Sequence, residues 1–137
     1  MNKLPVAQGL HFCRKFNVDA RRREISQIGM FSALSAPRFP TDRFRVGFFA
    51  LLCDGQGEGI LKLEVSRLFA TEPPQWIWRL TRWARFPENP LLTVPVMVAT
   101  EKLQFPAAGE YLVQLICDGQ TIVERVLPVR FKRGRKS

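Results

Sequence analysis

The chain predicts an all-β fold: an antiparallel two-sheet β-sandwich, immunoglobulin-like or of a related Greek-key type, with about seven or eight strands. Three observations carry this. Short apolar segments alternate with a period of two, Pro, Gly and Asp-Gly punctuate them, and no segment has a persuasive helical period. One hundred and thirty-seven residues, 46% of them hydrophobic and 24% charged, suit a single globular domain that buries a core without staples. We expect that domain over residues 1–131 and a basic tail over 132–137.

Gly9–Asn17 reads as a first strand and DARRR, 19–23, as a polar turn. Glu24–Leu34 reads as a second strand, with a bulge or close approach at Gly29. Pro37 and Pro40 then mark an extended connection. Phe44–Cys53 is apolar on both alternating faces apart from Arg45, the pattern of a strand covered on both sides. In Ile60–Leu68, Leu61, Leu63 and Val65 alternate with Lys62, Glu64 and Ser66, giving one buried and one wet face. QWIWRLTRWARF, 75–86, is ambiguous, because Trp76, Leu80 and Trp83 also fit helical spacing. Leu92–Leu103 is β-like but contains Pro95, which assigns it to a sheet edge or breaks it there. Tyr111–Cys117 alternates cleanly, and Thr121–Phe131 does so except where Arg125 interrupts.

CDGQ occurs twice, at 53–56 and 117–120. Asp-Gly between apolar β runs is a strong hairpin signal, since a type I′ turn needs positive φ at both central residues. Asp118-Gly119 fits a two-residue loop, whereas Asp54-Gly55 runs on into GQGEG and needs a longer or bulged one. Reading the two copies as Cys-Asp catalytic or metal dyads is disfavoured, because neither has a nearby His or Lys base. The flanking segments align poorly, so the repeat is a turn solution used twice.

The segment LQFPAAGEYLVQLICDGQTIVERVLPV, 103–129, enters a strand through Gly-Glu-Tyr, and Tyr111 resembles the anchor of a tyrosine corner. With GMFSAL, FP and FRVGFFALLCDGQGEGILKLEV before it, the chain from Phe12 to Val129 resembles a family of small bacterial proteins. These are about 130 residues long, one domain each, and are classed only as a domain of unknown function. The resemblance implies a compact β-sandwich in a bacterial cytosol and no activity.

The three cysteines, Cys13, Cys53 and Cys117, are odd in number and widely spaced, which opposes a disulfide framework. His11 is the single histidine. His11 and Cys13 would share a strand face and supply two metal ligands, but small buried thiols are the plainer reading. The N-terminus lacks the unbroken apolar stretch of a secretory signal, and no apolar run is long enough to span a bilayer, so a cytoplasmic protein is expected. Phosphate-binding, dinucleotide-binding, zinc-protease and nucleophile-elbow motifs are absent, and Glu64, Glu101, Glu110 and Glu124 fall where solvated carboxylates are the default. We expect no enzyme, cofactor or metal.

The least ordinary chemistry lies in residues 76–85, where Trp76, Trp78 and Trp83, all the tryptophans of the chain, interleave with Arg79, Arg82 and Arg85. Such a strip packs in a core with guanidiniums over the indoles, anchors a protein partner, or stacks nucleic-acid bases. A net charge of +9 includes two further clusters, Arg21-Arg22-Arg23 and the tail residues Lys132, Arg133, Arg135 and Lys136. These contact an anionic polymer if they share a face, and are otherwise solvated ends. The leading expectation is a binding or scaffold module with a protein partner or a homo-oligomeric contact. Nucleic acid is the alternative, and an enzyme with an unrecognised site the second.

Overall fold

The computed structural model describes residues 3–133. They form an all-β fold of ten strands and, among the described residues, no helix. The strands are β1 (Val6–Cys13), β2 (Lys15–Asp19), β3 (Glu24–Ile28), β4 (Leu34–Ala36), β5 (Phe44–Cys53), β6 (Glu58–Arg67), β7 (Gln75–Arg85), β8 (Val94–Leu103), β9 (Gly109–Cys117) and β10 (Gln120–Phe131). They build three sheets: β1-β5-β8, β4-β10-β9-β6-β7, and the two-stranded β2-β3.

Three expectations need correcting. The strand count exceeds seven or eight because the first two predicted strands each divide. Gly9–Asn17 breaks at Arg14, whose N–H turns to the carbonyls of Ile28 (2.9 Å) and Gly29 (3.1 Å) and starts a hairpin. Glu24–Leu34 ends at Gly29, which sits at φ +69 and leaves no room for a Cβ beside the Arg14 side chain. The sheets therefore number three, because β2 and β3 pair only with each other as strands. Finally, pairing is not wholly antiparallel: β4 lies parallel to the end of β10, Leu34 opposite Val129.

One hydrophobic core draws on both larger sheets. Phe12, Val46, Phe48, Ala50 and Leu52 come from the three-stranded sheet, and Leu61, Leu63, Val65, Val113, Leu115, Leu127 and Val129 from the five-stranded one. Period-two alternation supplies these sets, as in β9, where Tyr111, Val113, Leu115 and Cys117 are buried and the residues between them are not. The expected two-sided covering of β5 is present in part: on its outer face Gly47 is buried, while Phe49, Leu51 and Cys53 are half-buried. Its outer face receives Phe16 of the hairpin, 6.3 Å from Phe49 between ring centres. A Cβ at Gly47 would lie 2.8 Å from both Cys13 Sγ and Phe16 Cε2, so only glycine lets the hairpin cross there.

The turn chemistry follows the sequence. Asp118 and Gly119 have φ of 48 and 81, and Cys117 pairs with Gln120 across them. At the other copy Asp54 has φ 60, and the next left-handed residue is Gly57 at 82, so that loop is longer. Tyr111 is fully buried, and its hydroxyl donates to the Ala107 carbonyl at 2.6 Å, the contact expected of a tyrosine corner. β8, with Pro95 as its second residue, is a sheet edge as expected.

Candidate functional site

The ambiguous tryptophan-arginine segment is β7, an 11-residue strand at the end of the five-stranded sheet. Its register on β6 divides its side chains between two faces. Trp78, Leu80 and Arg82 stand opposite Val65, Leu63 and Leu61 and so face the core side. Arg79, Thr81, Trp83 and Arg85 stand opposite Glu64, Lys62, Ile60 and Glu58 and face outward. A bulge beside Val65 inserts Ile77, so Trp76 pairs with Ser66 and also faces outward.

The three indoles therefore do different things. Trp78 is half-buried against the core and stacks on Phe48, with ring centres 5.7 Å apart. Trp76 is 51% exposed and Trp83 65% exposed, on the outer face. The arginines differ as well. Arg79 lies 3.7 Å over the Trp76 ring and pairs with Glu64 at 2.8 Å. Arg85 pairs with Glu58 at 3.8 Å. Arg82 reaches across to the other large sheet and donates to the Met97 carbonyl of β8 at 2.9 Å.

The outer face extends beyond β7. Arg79, Glu64, Gln114 and Glu124 form one row across four strands, in which Gln114 Nε2 donates to Glu124 at 3.1 Å. Apolar groups flank this polar row: Trp76, Leu112 and Val126 on one side, Trp83, Ile60 and Ile116 on the other. Ile60 and Val126 are 40% and 42% exposed, so no element of the described chain covers this face. Arg79, Trp76 and Trp83 are thus brought together on one surface, from which Trp78 and Arg82 are turned away.

The described residues of the basic clusters belong to other elements. Arg21, Arg22 and Arg23 are exposed in the β2–β3 turn, where Asp19 accepts from the N–H groups of Arg21 (3.1 Å) and Arg22 (3.2 Å). Lys132 and Arg133 are exposed after β10, and the Lys132 N–H donates to Ala36. Arg135 and Lys136 lie outside the described residues.

His11 and Cys13 form no metal centre with a third ligand. Among the described residues no group of three or more His, Cys, Asp or Glu side chains converges. Cys13 and Cys117 are buried and Cys53 half-buried, and all three are free thiols. Burial pushes the Cys13 and Cys117 thiols above their usual range, and at Cys117 the neighbouring Asp118 charge adds to this. Burial likewise raises the Tyr111 phenol, against a smaller lowering effect of the Arg67 charge.

Sequence reasoning missed Arg125 as a structural residue. It faces the core side of β10, donates to the Leu10 carbonyl of β1 at 3.0 Å and lies 5.0 Å over the Phe12 ring. The break it makes in the apolar alternation was the available signal. Asp118 was likewise read only as a turn residue, yet its carboxylate accepts from the Ile60 N–H at 2.9 Å.

The sequence model of a family of unknown function (DUF6941) matches residues 9–130. The chain belongs to that family. The match spans both large sheets and the whole of β7, so the surface around Trp76 and Trp83 lies within the family's domain. No curated protein matches the chain. No helix of the described residues is long and apolar enough to cross a membrane.

Proposed function

We propose that this is a non-enzymatic β-sandwich binding module that engages a protein partner through the outer face and edge of β7. The observation that carries the reading is the uncovered surface holding Trp76, Trp83, Ile60 and Val126, since exposed tryptophans beside arginine are typical binding anchors. A single core shared by the two larger sheets, and the side-chain contacts of Arg82 and Arg125 between them, support treating those sheets as the two layers of a sandwich. Three free thiols fit a reducing, cytoplasmic setting.

Catalysis is disfavoured because the groups whose protonation burial perturbs, Cys13, Tyr111 and Cys117, are core residues. They do not line the clefts around Arg85 and Glu88 or around Lys15 and Arg45. Nucleic acid ranks second. Arg79 and Arg85 already meet carboxylates of their own chain, and in the hairpin turn Arg22 pairs with Asp19 at 4.0 Å, so much of the described positive charge is already engaged.

Affinity capture from the parent cells tests the reading. Polypeptides held by the wild type should be lost on combining Trp76→Ala with Trp83→Ala, and kept when Arg21, Arg22 and Arg23 become alanine. Capture indifferent to the tryptophans would defeat the reading. Tight oligonucleotide binding near 0.15 M salt, lost on removing residues 132–137 and falling steeply with salt, would put the nucleic-acid alternative in its place.

A further inference from the structure

We propose that the occupant of the β7 edge is a second copy of this chain, added strand to strand across a two-fold axis near Thr81; this rests on the binding role assigned to β7 above. The hydrogen-bond alternation identifies the open groups. Phe86 N–H donates to the Gly57 carbonyl at 2.9 Å, and on β6 the Ile60 carbonyl accepts from Asp118 at 3.0 Å, on the side away from β7. In an antiparallel ladder such pairs alternate, so the even-numbered residues of β7 bond to β6. The N–H and C=O groups of Arg79, Thr81, Trp83 and Arg85 therefore point away from the sheet. Among the described residues the sheet order ends at β7.

The charge on this strip suits a near-neutral partner. On its outward side Arg79 and Arg85 are balanced within the chain by Glu64 and Glu58. An acidic peptide would have to compete with those carboxylates. The rest of the +9 charge includes the hairpin turn and the tail, and at physiological salt charges more than about 8 Å apart are largely screened.

The strip is also self-complementary. With Thr81 opposite its own symmetry mate, Arg79 of one copy faces Trp83 of the other on the outer side, twice. On the core side Leu80 faces Arg82. No like charges oppose one another, and each outward arginine near the axis meets an indole face. A register centred on Arg82 would instead set Arg79 against Arg85 and Arg82 against itself. The bulge at Ile77 lies outside the segment used. The product is one continuous ten-stranded sheet made of two five-stranded ones.

Thr81→Pro tests this directly. It removes an N–H that points away from β6, and proline is tolerated on a free edge, so the fold should survive while the added strand is blocked. Sedimentation of the full chain at micromolar to sub-millimolar concentration should show a dimer for the wild type and a monomer for Thr81→Pro, with matching circular dichroism. Raising salt should hold or strengthen the dimer, where contact with an acidic partner would weaken. Thr81→Cys should form an intermolecular disulfide on mild oxidation, because the two Thr81 positions meet at the axis. This check holds even if the proline variant folds poorly. A wild-type monomer throughout the range, a dimer untouched by Thr81→Pro in a folded variant, or no cross-link through position 81 would each overturn the inference. A monomer whose partner capture still depends on Trp76 and Trp83 would remove the dimer and leave the binding reading standing.

Discussion

Gly119 has φ +81 and nothing within 4 Å of where its Cβ would sit, so a side chain there meets strain and not a clash. Gly119→Val should therefore lower stability by about 1 kcal/mol or more purely through the left-handed backbone. The denaturation midpoint measures it, and an unchanged midpoint would mean the turn relaxes into another type. Asp118 adds a second function at the same corner by accepting from the Ile60 N–H. Asp118→Ala should lose about 1 kcal/mol or more, from that bond and from alanine's poorer tolerance of the left-handed φ of 48. The buried thiols and phenol give a pH dependence whose sign is set by their raised pKa values. Their stabilising contribution is complete below the ordinary thiol value of 9.0 and is lost as pH climbs through the raised folded-state values, because the unfolded chain ionises first. Midpoints measured upward from neutral pH should fall in the alkaline range, and Cys117→Val should flatten part of that fall. A midpoint that rises with pH would contradict the assignment.

The bulge in β7 decides the character of that strand. Without it Trp76 and Trp78, two residues apart, would share a face; with Ile77 inserted, one points outward and the other toward Phe48. Trp78→Ala should accordingly cost about 2 kcal/mol or more, by opening space beside the core. Trp83→Ala should leave the stability of the monomer within about 0.5 kcal/mol of the wild type, as a surface change. Paired denaturation curves check this, and equal losses would refute the division of faces. The ambiguity of QWIWRLTRWARF in the sequence has the same origin. A bulge removes the strict period of two that marks a strand, and leaves residues 76, 80 and 83 fitting a helical spacing as well. The splitting of Gly9–Asn17 was hidden for a related reason. Nothing local to Arg14 announces that Gly47, far along the chain, leaves room for the hairpin to cross.

Two inward-facing arginines join the large sheets at opposite sides of the core. Arg82 on β7 reaches β8, and Arg125 on β10 reaches β1. Each guanidinium satisfies a carbonyl of the other sheet while its stem covers apolar surface. Arg125→Met should cost about 1–3 kcal/mol, because it gives up both the bond to Leu10 and the contact over Phe12. Arg82→Met, at a more open site, should cost less, and the two losses should add, since the residues share no partner. A double-mutant cycle with strong coupling would show that the two contacts act as one unit.

The sequence by itself determined the all-β class, the span of β5, the alternating faces of β6 and β9, the Asp118-Gly119 turn and the tyrosine corner. Each is written in local order: a period of two, a residue that tolerates positive φ, a glycine two places before a tyrosine. Tertiary structure alone decided which tryptophans meet solvent, that Arg82 and Arg125 bridge sheets, and that β4 runs parallel to β10. Those features depend on partners far away in the chain, such as the 115 positions between Leu10 and Arg125. Alternation tells a strand that it has two faces. Only the packing of the sheets settles what lies against each of them.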